Sequence, residues 1–166
     1  LMLSEEKGRA FAKRVADKTK EIGAKLSFDV NFRKDIFRDF DAAKRAYEPF
    51  VKCADIVKFS EDELLDFTGI SGIDAAAESL CDKDKLILVT LGKNGSAYYF
   101  NGEKGVVPSE YKCRSVDTTG AGDAFFGAFL AAIENKEPTK ENIVSAMRKG
   151  NEKGAKTTEF FGAIKL

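Results

Sequence analysis

The chain has 166 residues, 43% hydrophobic and 33% charged, enough for one ordinary domain that buries about two-thirds of its unfolded surface. Lysine plus arginine equals aspartate plus glutamate at 27 each, and the lysines are spread along the chain, so no net field draws it to nucleic acid or to an anionic membrane. Histidine is absent, which removes Ser-His-Asp and Cys-His catalysis, His-ligated metals and a phosphohistidine intermediate and leaves a carboxylate, Lys, Tyr or Cys as any general base.

In chain order, Ser4 is placed to cap a helix whose first turn carries Glu5 and Glu6. Ala10, Phe11, Val15 and Ile22 follow at near-helical spacing as its core face, and Gly23 closes it. Residues 25–30 read as a strand, 41–53 as a helix and 55–59 as a short buried strand. Ser60 is placed to cap a helix over 61–67 that Gly69 ends, and another helix spans about 74–81. The unbroken apolar run 86–91 has the mark of a strand covered on both faces. Gly92 and Gly95 turn the chain into a strand at 96–100, and Asn101-Gly102 signals a hairpin into 105–107. A helix after Gly122 and a second over about 140–153 complete the elements, before a glycine-rich final stretch.

Helix and strand alternating at this pitch imply right-handed crossovers and a mostly parallel sheet flanked by helices, an α/β fold in a single domain over 1–166. Ligands in such sheets bind beyond the carboxyl ends of the strands. Asp29, Asn31 and Arg33 follow one predicted strand, Ser60 and Glu63 the next, Gly92 and Gly95 a third. Cys53, Cys81 and Cys113 include no Cys-x-x-Cys, which argues against a disulfide framework or zinc site. They read as small buried hydrophobes in a reducing cytoplasm. No apolar run approaches the ~18 residues of a membrane span, so neither membrane nor signal peptide is expected. The first residue is Leu1 rather than Met, as expected of a chain that starts downstream of a native start or has been processed.

The most informative run is Asp117-Thr118-Thr119-Gly120-Ala121-Gly122-Asp123, followed at once by the apolar stretch 124–133. Two glycines one residue apart let the backbone turn tightly and aim successive N–H groups at one point. The helix behind them adds its unpaired first-turn amides and positive dipole end, and so makes an anion site with Asp123 at its mouth. A phosphate trap with a base beside it is what phosphoryl transfer to a hydroxyl requires. A dinucleotide fingerprint would need a third glycine where Phe125 stands, and no Walker P-loop occurs. A plain turn with Asp as a cap is the simpler alternative.

At this run the chain resembles the ribokinase-like, or PfkB, family of carbohydrate kinases, whose signature is D-T-x-G-A-G-D. Asp29 to Arg33 resembles the D-x-N-x-R segment of the fructokinase-like branch, Ala54 to Leu64 the segment carrying N-x-x-E, and Val89 to Gly95 the nucleotide-binding T-x-G-x-x-G. The resemblance implies a Rossmann-like ribokinase fold lacking the amino-terminal half and the lid, so that the chain is the carboxy-terminal, nucleotide-binding part of a sugar kinase. The intact protein would then transfer the γ-phosphoryl group of Mg-ATP to a sugar or sugar-acid hydroxyl. Fructose, a keto-deoxy sugar acid and ribose are all compatible, with D-x-N-x-R tilting towards the first two. A homodimer of the intact protein, a cytoplasmic location and no nucleic-acid partner complete the expectation. The alternative is a non-catalytic nucleotide-binding or interaction module derived from such a kinase.

The resemblance also assigns roles. Asp123 becomes the catalytic base, with the amides of Gly120, Ala121 and Gly122 stabilising charge on the transferred group. Asp117 and Thr119 fall where the family binds a monovalent cation, implying K+; a loop held by its own Asp and Thr side chains is the equal alternative. Glu63 and Ser60 correspond to N-x-x-E, which organises Mg2+ and phosphate, with Ser in place of the usual Asn; capping alone would also explain Ser60. Thr90, Gly92 and Gly95 would lie along the ATP phosphates and ribose, unless they form a plain strand turn. Asn151 would lie near adenine. Asp29, Asn31 and Arg33 would bind substrate, although Arg33 has Asp35 and Asp39 nearby for a surface salt bridge.

Overall fold

The structure is a computed structural model and describes residues 2–32, 36–37 and 39–162. Its elements in chain order are α1 (Glu6–Glu21), β1 (Ser27–Asp29), α2 (Phe40–Cys53), β2 (Ile56–Ser60), α3 (Glu61–Thr68), α4 (Ile73–Glu78), β3 (Leu86–Thr90), β4 (Ser96–Phe100), β5 (Glu103–Val107), α5 (Ala121–Ile133) and α6 (Lys140–Thr157). The five strands form one sheet in the order β1-β2-β3-β4-β5. β1 and β2 are parallel, with Ser27 opposite Ile56 and Asp29 opposite Lys58. Asn101 and Gly102, at φ +48° and +79°, make the two-residue turn from β4 to β5, a link that only antiparallel neighbours allow. The sheet is therefore mixed and flanked by helices, as an α/β fold requires.

The chain divides into two compact units, one of residues 1–88 and 99–103, the other of 89–98 and 104–166. In the first, the core is built from fully buried Val57, Phe59, Leu64 and Phe67 on β2 and α3, with Ala43 and Val51 of α2. Asp39 caps α2 by accepting from the Ala42 amide at 2.6 Å. At the other end of α2, Lys85 donates to the Val51 and Lys52 carbonyls at 2.8 Å each, so the last turn keeps partners for its carbonyls. In the second unit, Phe125 and Phe129 of α5 stack at 6.4 Å and are buried, as are Ile143, Ala146 and Met147 of α6.

Three expectations are corrected. Ser4 does not cap α1: Met2–Ser4 forms a turn of 3-10 helix whose carbonyls at Leu3 and Ser4 accept from Arg9, and Glu5 takes the cap position with no side-chain bond. The expected core face of α1 lies outward, with Phe11 52%, Val15 45% and Ile22 65% exposed, while Ala12 is buried. The cysteines are not buried hydrophobes. Cys53 and Cys81 are exposed, at or just beyond the ends of α2 and α4, and Cys113 is half-buried in a loop.

Candidate functional site

The second unit contains a cleft of about 510 Å³ that gathers the expected nucleotide residues from three distant segments: Thr90, Gly92 and Gly95, then Ala121 and Gly122, then Asn151. Thr90 ends β3, and the chain passes through one 3-10 turn, Gly92–Asn94, before β4. Gly95 sits at φ +102°, and a Cβ there would lie 2.2 Å from the Val107 carbonyl oxygen. Only glycine lets the β3–β4 turn close against the end of β5.

Gly120 takes the left-handed conformation (φ +78°) immediately before α5 and turns the backbone into the helix. Ala121 donates its amide to the Thr118 carbonyl at 3.2 Å. Among the described residues, the amides of Gly120, Gly122 and Asp123 donate to no protein acceptor. Three donors and the helix dipole therefore face one end of α5, the arrangement that attracts phosphate. The Ala121 amide, one of the three expected donors, is turned to Thr118, and the Asp123 amide is open beside those of Gly120 and Gly122. The Asp123 side chain, at the third position of α5, is exposed.

The loop before α5 is held by its own carboxylate. Asp117 Oδ1 accepts from the Thr119 amide at 2.9 Å and its hydroxyl at 2.7 Å, and Oδ2 accepts from the Gly162 amide at 2.9 Å. The Gly162 bond, followed by the two from Thr119, holds the Asp117 carboxyl below its ordinary value. Asp117 and Thr119 are thus bonded to each other within their own loop. Val116 and Asp117 also donate their amides to the Thr158 carbonyl, so the loop is tied to the end of α6.

Asn151 is buried within α6, its Oδ1 accepting from Ser96 Oγ and its Nδ2 donating to the Val107 carbonyl, each at 2.9 Å. It joins α6 to β4 and to the end of β5, and lines the cleft while doing so. Two further determinants escaped the sequence reading. A Cβ at Gly150 would meet the Phe125 ring at 2.8 Å, and one at Gly154 would meet the Ala121 carbonyl oxygen at 3.0 Å. These glycines, four apart on one face of α6, seat the first turn of α5. The i, i+4 glycine spacing inside a helix was the available signal.

The remaining candidates lie in the first unit. Asp29 ends β1 with both carboxylate oxygens on Lys58 Nζ, at 3.0 and 3.1 Å. Asn31 follows at φ +40° with an exposed side chain. Arg33 lies outside the described residues. Ser60 and Glu63 form a capping box at the start of α3: Glu63 donates its amide to Ser60 Oγ at 3.3 Å, and Glu63 Oε2 accepts from the Ser60 amide at 2.7 Å. Glu63 Oε1 accepts from the Phe32 amide at 3.0 Å. A larger cavity of about 870 Å³ opens between α1 and α2, and none of the candidate residues lines it. Among the described residues, no group of three or more His, Cys, Asp or Glu side chains is arranged to hold a metal ion. Mg2+ keeps several waters and rides on nucleotide phosphates, so it needs no such cage.

An α/β sheet with a glycine-lined cleft and a helix presenting open amides is an arrangement suited to holding a phosphate group. The profile of the pfkB family carbohydrate kinase matches residues 7–165, and the chain belongs to that family. Fructokinase-1 of Zea mays is 41% identical over 157 residues, which cover 91% of this chain and 48% of that protein. Putative fructokinase-8 of Arabidopsis thaliana is 36% identical over 169 residues, covering 99% of this chain and 80% of that one. A double mutant of fructokinase from Vibrio cholerae O395, solved with fructose, ADP and potassium ion bound, superposes with a TM-score of 0.91 at 30% identity over 98% of this chain and 53% of that chain. The chain thus spans about half the length of Fructokinase-1 and of the Vibrio enzyme. Its fold is that of the ribokinase-like sugar kinases.

Proposed function

We propose that this chain is the nucleotide-binding part of an ATP-dependent, fructokinase-type sugar kinase. The observation that carries this is the cleft of the second unit, which brings Thr90, Gly92 and Gly95 together with Ala121 and the open amide of Gly122 at the start of α5. The glycines let the backbone approach the phosphates, and the amides of Gly120, Gly122 and Asp123 hold the charge that builds on the transferred group. Asp123 takes the proton of the sugar hydroxyl as its oxygen forms a bond to the γ-phosphorus. The bond from that phosphorus to the bridging oxygen breaks, and ADP leaves. The Vibrio relative holds fructose, ADP and potassium ion, which favours a sugar acceptor and an ATP donor here, with Mg2+ entering on the nucleotide. Asp117 and Thr119 remain the candidates for K+.

A non-catalytic nucleotide-binding module is the second reading. One experiment separates the two. The chain, alone and supplemented with the remaining half of a fructokinase-type kinase, is assayed for ADP release on a sugar panel, with ATP binding measured in parallel. The kinase reading expects turnover in the supplemented sample and a loss of about 10²–10⁴-fold in Asp123→Asn, with ATP still bound. Turnover that survives the substitution removes Asp123 as the base. ATP binding without turnover in any mixture leaves the module.

A further inference from the structure

The sugar-kinase reading gives Asn31 a substrate and Glu63 a metal, yet the geometry of the first unit ties these two segments to each other. We propose that Glu63 and Lys58 are positioning residues that latch residues 29–32 to β2 and α3, so that Asn31 is held where it meets the sugar. The inference rests on that reading for the identity of the ligand and on the structure for the latch.

Four residues build it. Lys58, 5% exposed, grips both oxygens of Asp29, and its own carbonyl accepts from the Val30 amide at 3.0 Å, extending the β1–β2 ladder by one residue. Glu63 then takes the Phe32 amide on one oxygen and the Ser60 amide on the other. Tyr47 donates its hydroxyl to the Asn31 carbonyl at 3.4 Å. The Phe32 ring, 8% exposed, stands edge-on to Phe40, Tyr47 and Phe67 at 5.7, 5.3 and 5.7 Å. Residues on both sides of Asn31 are thereby fixed while its side chain stays exposed at φ +40°, a conformation that an asparagine adopts at a cost and that needs such support.

Both oxygens of Glu63 serve this latch, one to cap α3 and one to hold the preceding loop. A carboxylate used in this way acts on the sugar through Asn31, while a metal ion is carried by nucleotide phosphate and water. Lys58 belongs to the same device. Cutting the ion pair at the lysine removes the group that holds both Asp29 oxygens at the root of the loop.

The test uses the 166-residue chain, isotope-labelled, with Glu63→Gln as the first variant. A glutamine keeps one carbonyl oxygen and can still close the capping box, so α3 stays capped and the Phe32 contact alone is lost. Amide hydrogen exchange at Asn31 and Phe32 should quicken roughly ten- to hundredfold, while Leu88 of β3 is unchanged. Lys58→Met, the second variant, should quicken the same two amides. MgATP and metal-free ATP should bind the Glu63→Gln variant with the same ratio of affinities as wild type. In wild type, a coupling across the hydrogen bond between the Phe32 amide and the Glu63 carboxyl carbon should be measurable whether or not a variant folds. Absence of that coupling, unchanged exchange in both variants, or weakening confined to MgATP overturns the latch. D-fructose should shift the Asn31 resonances of wild type and do so about tenfold more weakly in Glu63→Gln. If fructose shifts nothing while the coupling and the exchange effects are present, the sugar assignment falls and the latch stands.

Discussion

Asp117 shows how a single side chain can organise a loop by accepting three hydrogen bonds. Its carboxyl is held below its ordinary value chiefly by the Gly162 amide and then by Thr119. A group with a depressed folded value contributes stability above the unfolded value, near pH 4 for aspartate, and loses it as pH falls through the folded one. The loop should therefore keep its bonds to Gly162 and Thr119 at pH 5 and above and release them only below about pH 4. The amide resonances of Gly162 and Thr119, followed against pH, should move together in that acid window. Asp117→Asn should flatten both curves and loosen the loop at neutral pH. Movement of either amide between about pH 5 and 7 would contradict this account of the carboxyl.

At the scale of elements, the packing of α5 on α6 decides whether the anion-facing turn is in place. The glycines at 150 and 154 leave room for the Phe125 ring and the Ala121 carbonyl, and any side chain at 154 pushes against the first turn of α5. Gly154→Val should cost about 1–3 kcal/mol through overpacking, offset in part by the poor helix propensity of the glycine it replaces. Urea unfolding should show a lower midpoint, and ATP affinity should fall with it because the amides of Gly122 and Asp123 shift. A variant with unchanged midpoint and unchanged affinity would show that the two helices do not need this contact. How much could be read in advance follows the same division. Gly95, Gly120 and the Asn101-Gly102 turn announced themselves because their conformational demands are local. The capping box at Ser60 and Glu63 was legible for the same reason. Asn151 and Lys58 gave no such signal, because their partners lie 55, 44 and 29 residues away in the chain. Periodicity also misassigned Phe11, Val15 and Ile22: it identifies an apolar stripe on α1 and says nothing about whether anything covers it.

For the molecule as a whole, the missing histidine sets the pH response. Burial pushes the thiols of Cys53 and Cys81 up, and the sequence holds no imidazole, the side chain whose ordinary value lies near neutrality. The thermal midpoint of the chain should stay level from about pH 6 to pH 8. Circular dichroism melts across that range would check it, and a step near pH 6.5 would contradict it. The cleft and the loop segment latched by Glu63 belong to different compact units, and the sequence motifs alone gave no sign of that division. Motif order along a chain reports lineage, whereas the grouping of contacts reports which parts hold together.

The paired gaps on α6 carry one more implication. A single methyl group added on that helix would press on its neighbour, against the Phe125 ring from position 150 and the Ala121 carbonyl from position 154, while every residue of the turn at 120–123 keeps its chemical identity. Surveys that rank damaging variants by distance from a bound ligand would pass over positions 150 and 154, and a patient count of failed binders with intact motifs would lead back to them.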